Sequence, residues 1–360
     1  MIDAIGYSAA GRHSALRLTR FQCDEPGAHD VQIAVMFCGV CHSDIHQVRN
    51  EWSNTVYPCM PGHEIVGRVS RVGAAVGKHK VGDIVGVGCM IDSCRQCEPC
   101  RAGEENYCAG PNSWLATYNG PMVPRAKAGQ NIYGRDNTFG GYATVKVVHE
   151  DFVLKIPAGL DPRQAAPILC AGVTTYSPLK HWGVKAGDHV GIVGFGGLGD
   201  MACKLARAMG AAVTVFTTRP DKTDRAHAIG VAEVVIEGDR AAFKRLTGTL
   251  DFILCTIPQS FDLNPFIPLL KRDRAIVVVG ALDTLKGVNN MVVAGRRLSV
   301  AGSLIGSIRE TQEVLDFCAA HEIGPDVQVI RAADLNEAYR RVINGDVRYR
   351  YVIDAATLAA

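Results

Sequence analysis

Cys94, Cys97, Cys100 and Cys108 stand close together in the chain, at a spacing that lets a short loop offer four thiolates to one ion. Zinc takes such ligands tetrahedrally at about 2.3 Å, and a shell closed by four of them has no position for a substrate. The site they would form is therefore structural, and the chemistry must come from elsewhere. Cys41, His63 and Cys170 are dispersed over the chain and are donors of the kind that make a second, open site. A third feature, Gly194-Phe195-Gly196-Gly197-Leu198-Gly199, fits G-x-G-x-x-G. In that pattern the first glycine permits a tight turn, the second lets backbone approach a pyrophosphate, and the third packs helix against strand.

The glycine loop has the right neighbours. The short apolar run Val190–Val193 precedes it, and Leu198–Met209 has helical periodicity ending at Gly210, so the helix N-terminus would face an anion. Val213–Thr217, Phe252–Cys255 and Ala275–Val279 read as further strands separated by helical stretches, which predicts βαβ units on a parallel sheet. The first ~155 residues have another texture, with Val- and Ile-rich runs at Val31–Phe37, Ile65–Val69, Asp83–Val87 and Tyr142–Val147 broken by Gly and Pro, and predict a mainly β half. A helix over Ile308–His321 and a strand over Tyr349–Ile353 are expected to return to that first half.

Length and charge narrow the function classes. A chain of 360 residues suits two domains, given domain sizes of roughly 100 to 200 residues. Lys and Arg number 38 against 36 Asp and Glu, without a dense basic run, which argues against nucleic-acid and membrane-surface partners and for a small soluble one. No apolar run approaches the ~18 residues that span a bilayer, and Met1–Ile5 lacks the basic start of a secretory leader, so the expected location is the cytoplasm. In that setting the 13 cysteines read as thiols and zinc ligands rather than disulfides. Cys23, Cys38, Cys59, Cys89, Cys203, Cys255 and Cys318, left after both sites are filled, are expected to be buried small apolar groups.

The dinucleotide can be chosen from the end of the strand after the glycine loop. An acid about 20 residues on would hold a ribose 2′-hydroxyl. Thr217, Thr218 and Arg219 stand there instead, with Lys222 close behind. Hydroxyls and two cations suit a 2′-phosphate, which favours NADP(H) over NAD(H); the alternative is a solvated basic turn.

Gly62-His63-Glu64-Ile65-Val66-Gly67, followed by Gly73 and Val76, completes GHE-x2-G-x5-G-x2-V. Upstream lies Cys38-Gly39-Val40-Cys41-His42-Ser43-Asp44, and downstream Ala166-Pro167-Ile168-Leu169-Cys170-Ala171-Gly172-Val173-Thr174. With these motifs in one order the chain resembles, end to end, the zinc-dependent medium-chain alcohol dehydrogenases, and within them the cinnamyl alcohol dehydrogenase group and its bacterial NADPH-dependent aldehyde reductase relatives. The resemblance implies a GroES-like, mainly β catalytic domain over residues 1–157 and 306–360, with the four-cysteine lobe at 89–112, and a Rossmann domain with a doubly wound parallel sheet over 158–305.

The same resemblance implies two zinc ions per chain. Cys41, His63 and Cys170 would hold the catalytic one, with Glu64 as an occasional replacement ligand and Asp44 orienting His63; Cys94, Cys97, Cys100 and Cys108 would hold the other. Two thiolates cancel the charge of the dication, and a neutral imidazole with one vacancy leaves a Lewis acid. A proton path is implied from Ser43 to His46 and on to Glu51, where the family commonly has Asp. His42 would contact the pyrophosphate, and Thr256, Val279, Gly280 and Ser303, at or after the later strands, would wall the cofactor. The expected reaction is hydride transfer between NADP(H) and an aromatic or medium-chain primary alcohol or aldehyde, in a homodimer joined edge to edge around Met291–Ser303. Trp114 and Tyr118 lie where the family lines its pocket with aromatics, but a small insertion shifts the spacing, so Trp114 could face the pocket or simply pack. A zinc-free enoyl or quinone reductase, and a non-enzymatic zinc and nucleotide binding protein, are the rival readings.

Overall fold

The computed structural model describes residues 1–110, 117–119, 138–280, 283–346 and 350–358. It divides into two compact units, Met1–Cys170 with Ser307–Ala360, and Ala171–Gly306. Residues 158–170, read from the sequence as part of the nucleotide domain, cluster with the first unit.

In the first unit, β1 (Ile2–Ser8) and β2 (Arg17–Cys23) form an antiparallel pair. They are followed by β3 (Asp30–Gly39), β4 (Ile65–Val72), β5 (Ile84–Val87), β6 (Val145–His149) and β7 (Leu154–Lys155). Val31, Ile33 and Val35 of β3 are buried at alternate positions, as a strand with one face on a core requires. Of the runs read as strands here, two begin late, β5 by one residue at Ile84 and β6 at Val145. Tyr142–Thr144 lies outside β6, because the Tyr142 and Thr144 amides donate to Pro61 O (3.1 Å) and Ile5 O (2.9 Å) rather than to β3.

The second unit is the parallel α/β sheet that the alternation predicted. Its strands are β8 (His189–Val193), β9 (Ala212–Thr217), β10 (Glu233–Ile236), β11 (Leu250–Cys255), β12 (Leu270–Val278) and β13 (Ser299–Gly302). The order is β10-β9-β8-β11-β12-β13, all parallel. This is the doubly wound order, whose switch point lies between β8 and β11. Strand β11 is buried at every position, as a strand covered on both faces must be. Phe216 and Phe266 pack in its core beside Phe243.

The chain then returns to the first unit. Helix Ile308–Ala320 starts at Ser307, whose side chain accepts from Glu310 N in a capping box. Strands β14 (Val327–Arg331) and β15 (Arg350–Asp354) complete a sheet of order β14-β15-β3-β4-β5-β7, with β6 also paired to β3. Among the described residues no helix is long and apolar enough to cross a membrane.

Candidate active site

Cys41 lies two residues past the end of β3 as the N-cap of helix His42–Val48; His63 and Glu64 directly precede β4; Cys170 sits on the π-helical turn Ile168–Gly172. Such turns cost hydrogen-bond geometry and recur at functional sites. The structure brings these four residues together, buried, with their ligand atoms all within 4.8 Å of one another. His63 Nε2 is 3.2 Å from Cys170 Sγ, and its Nδ1 is 2.9 Å from Asp44 Oδ1. Asp44 is itself fixed, accepting from Gly62 N (2.8 Å), Cys41 N (3.0 Å) and the Tyr142 hydroxyl (3.2 Å). Its carboxylate thus holds Nδ1–H and turns the Nε2 lone pair toward the sulfurs, the buttress a ligating imidazole needs.

The donor set fits zinc. A hydrogen bond with Cys170 draws the Cys41 thiol well below its usual range, while the same contact and burial push Cys170 well above it. Burial lifts Glu64 to about 8 against the pull of Arg350. Sulfur, nitrogen and one carboxylate in a dry pocket are acids that a dication would let ionise together. Glu64 Oε1 accepts from Arg350 Nη2, while Oε2 is buried without a partner. Gly39 makes room for this carboxylate, since a Cβ there would lie 1.8 Å from Glu64 Oε2.

One turn along the helix, His46 Nδ1 pairs with Glu51 Oε2, and His46 Nε2 is buried with no partner. The His42 and Trp52 rings lie on the same imidazole, each with its centroid 5.7 Å away. Ser43 is half-buried on the first turn.

The four lobe cysteines also converge, with ligand atoms within 4.8 Å. Cys97 N points at Cys94 Sγ (3.4 Å), Cys94 N and Gly110 N at Cys108 Sγ (3.3 Å each). Backbone N–H groups from Gln96 and Cys97 lower the Cys94 thiol to about 6, whereas burial raises Cys100 to about 12. Amides aimed at sulfur favour thiolate, which is the state zinc requires.

In the second unit the glycine loop lies between β8 and helix Gly197–Ala208. Gly194 has φ +94°, and a Cβ on Gly199 would lie 2.1 Å from Gly194 O, whereas one on Gly196 would meet nothing within 4 Å. Turn, close packing and an open approach therefore fall on the first, third and second glycines, with Leu198 between. Thr256 follows β11, Val279 and Gly280 follow β12, and Ser303 follows β13, all at carboxyl ends of parallel strands where such folds bind ligands. The Thr256 hydroxyl donates to Val193 O and Gly194 O (3.1 Å each) and so locks the loop.

The cation pair after β9 differs from expectation in its partners. An acid does stand in this turn: Asp221 takes the Arg219 guanidinium on both oxygens, at 2.8 and 2.9 Å. Thr217 is buried, its hydroxyl accepting from Arg219 N (3.1 Å), while Thr218 is exposed. Lys222 Nζ donates to Phe195 O of the glycine loop at 2.9 Å.

Comparison with known proteins decides the family. Residues 27–158 match the model of the alcohol dehydrogenase GroES-like domain, and 197–320 that of the zinc-binding dehydrogenases. The chain is 49% identical to the aldehyde reductase YahK of Escherichia coli, covering 99% of each. It is 44% identical to NADP-dependent alcohol dehydrogenase C 1 of Mycolicibacterium smegmatis, again over 99% of each. Among solved structures, a cinnamyl alcohol dehydrogenase of Sorghum bicolor matches with a TM-score of 0.90 at 40% identity and 98% of each chain. One from Helicobacter pylori, complexed with NADP(H), matches with a TM-score of 0.88 at 36% identity and 99% of each chain. The chain belongs to the zinc-dependent medium-chain alcohol dehydrogenases. It falls in their cinnamyl alcohol dehydrogenase-like group.

Several residues of this dehydrogenase that shape the site gave no local signal. Arg350 reaches Glu64 across 286 positions of sequence. Tyr142 and Tyr339 stack a second layer behind Asp44, their hydroxyls 3.4 Å apart. Cys89, expected as an inert buried thiol, hydrogen-bonds Cys170, a contact that lowers it; Cys23 is only half-buried. Tyr118 packs on His63 with ring centroids 4.6 Å apart. Trp114 lies outside the described residues.

Proposed function

We propose that this dehydrogenase reduces aromatic or medium-chain aldehydes to primary alcohols with NADPH, and runs the reverse with NADP+. The observation that carries the reading is the buried convergence of Cys41, His63, Glu64 and Cys170 around one point, with His63 oriented by Asp44. Zinc held by Cys41, His63 and Cys170 would supply Lewis acidity toward the carbonyl oxygen. The nicotinamide would supply the hydride.

The chain's own residues do the rest. Asp44 keeps the His63 proton on Nδ1. Arg350 holds Glu64 by one oxygen and leaves the other turned to the cluster, so this carboxylate is placed to exchange in and out of it. Ser43 begins a proton path that His46 continues: its Nε2 accepts while Glu51 steadies Nδ1. In the second unit the glycine loop takes the pyrophosphate and Arg219 with Lys222 the 2′-phosphate. The four lobe cysteines hold a second, structural zinc.

Oligomeric state and location complete the proposal. β13 is an edge strand of the described sheet with Val300 38% exposed, and Met291, on helix Asn290–Arg296, is 82% exposed. An unpaired apolar edge invites the same edge of a second copy, giving a homodimer. None of the thirteen cysteines is in a disulfide, which suits the cytoplasm.

The test is NADPH oxidation with cinnamaldehyde and benzaldehyde, alongside metal analysis. Turnover with about two zinc ions per chain is expected; none with either aldehyde, or a metal-free active protein, would overturn the reading. Cys170→Ala should lower turnover by ~10³-fold or more and leave about one zinc, with circular dichroism unchanged.

A further inference from the structure

The geometry points to Lys146 as a positioning residue that holds Tyr118 against His63 by clasping the backbone on both sides of the active site. The inference rests on the reading of His63 as part of that site.

Lys146 occupies an inward position of β6, in register with Ile33 of β3 and alternating with the buried Val148, where a strand of this kind places an apolar residue. It is 5% exposed. No carboxylate among the described residues pairs with it. Instead Nζ donates to Thr117 O at 2.8 Å and to Phe139 O. A buried ammonium with only carbonyl partners costs stability, so an apolar residue would serve a purely structural role better.

What the two carbonyls belong to gives the position its purpose. Thr117 is also tied through its hydroxyl to Gly88 O (2.7 Å), and the next residue, Tyr118, is fully buried with its ring on His63. Among the described residues the Tyr118 hydroxyl has no hydrogen-bond partner, so there the ring is held by packing and by its backbone. On the other side, Phe139 leads into Gly140 and Gly141, whose amides donate to Met60 O and Gly62 O (2.8 Å each), and then Tyr142, whose hydroxyl reaches Asp44. One ammonium thus joins the segment carrying the ring that covers His63 to the segment bracing the carboxylate that orients it. Without it, two buried carbonyls lose their donor and the two segments lose their tie.

A double-mutant cycle tests this. Lys146→Met, Tyr118→Ala and the pair are compared with the parent in kcat and KM for cinnamaldehyde and NADPH, thermal unfolding, and amide exchange at Gly140–Tyr142. Lys146→Met alone should lower kcat about tenfold with the NADPH KM unchanged and speed exchange at those amides, whereas in the Tyr118→Ala background it should change kcat less than about twofold. If Lys146→Met does not fold, Lys146→Gln, which keeps one donor, replaces it in the same cycle with a smaller loss. Equal fold-losses in both backgrounds would overturn the clasp, as would wild-type kcat in Tyr118→Ala. A failure of the parent reading would show differently, as absent turnover in the unmutated enzyme.

Discussion

At Asp44 a single carboxylate accepts from two backbone amides, a tyrosine and His63, so its removal acts on the imidazole without touching the sulfurs. Asp44→Asn should weaken zinc retention or activity by about 10- to 100-fold while the protein still folds, read by competition with a chelator. The cofactor cations make a second residue-scale case. Arg219→Ala with Lys222→Ala should raise the KM for NADPH by about tenfold and leave that for NADH nearly unchanged, because only the former offers a phosphate for charge-assisted bonds. Asp221→Asn should act in the opposite direction, tightening NADPH by about two- to fivefold, since it removes the carboxylate that competes with a phosphate for the Arg219 guanidinium. Equal effects on both dinucleotides would remove this turn from phosphate recognition. Lys146 adds a pH dependence. Burial depresses its amine to about 8, against about 10.4 in an unfolded chain, so between those values the unfolded state binds more protons and stability rises with pH. The thermal midpoint of Lys146→Met, subtracted from that of the parent, should therefore fall behind as pH climbs through that window, a comparison calorimetry can make.

The elements explain which of these features the sequence disclosed. The four-cysteine lobe is local: Pro99 opens helix Glu98–Ala102, Gly103 at φ +75° ends it, and the sulfurs follow from spacing. Cys97→Ala should accordingly damage folding before catalysis, seen as loss of a zinc and a lower unfolding temperature. The glycine loop was equally legible, since its strand, turn and helix are contiguous and each glycine answers one steric demand. By contrast β1, β2, β7, β10 and β14 went unread, because strands such as Arg17–Cys23, with exposed residues at alternate positions, carry little apolar signal. The convergence of Cys41, His63, Glu64 and Cys170 was legible through motifs, but Arg350, Tyr339 and Lys146 act across long sequence separations, and nothing beside them in the chain announces a partner. Asp221 was overlooked for another reason: the expected acid belongs at the strand end, and this one sits a turn later, engaged with one of the two cations read as suited to a 2′-phosphate.

At the scale of the molecule, the proposed roles divide between the two units. Cys41, His63, Glu64 and Cys170, with Asp44, Ser43 and His46, belong to the first unit, and the glycine loop with Arg219 and Lys222 to the second. The proposed dimer edge lies on the second. Val300→Glu would place charge on β13 and should convert a dimer into a species of 38.6 kDa on gel filtration; a parent protein already of that size would dismiss the dimer.

Gly39 carries a consequence for anyone wishing to reshape this enzyme. The hydrogen on its α-carbon is all that separates the main chain from the carboxylate of residue 64. Even alanine at that place would evict the acid, so pocket libraries should leave codon 39 untouched. A working variant recovered with a larger residue there should carry a compensating, shorter side chain at position 64.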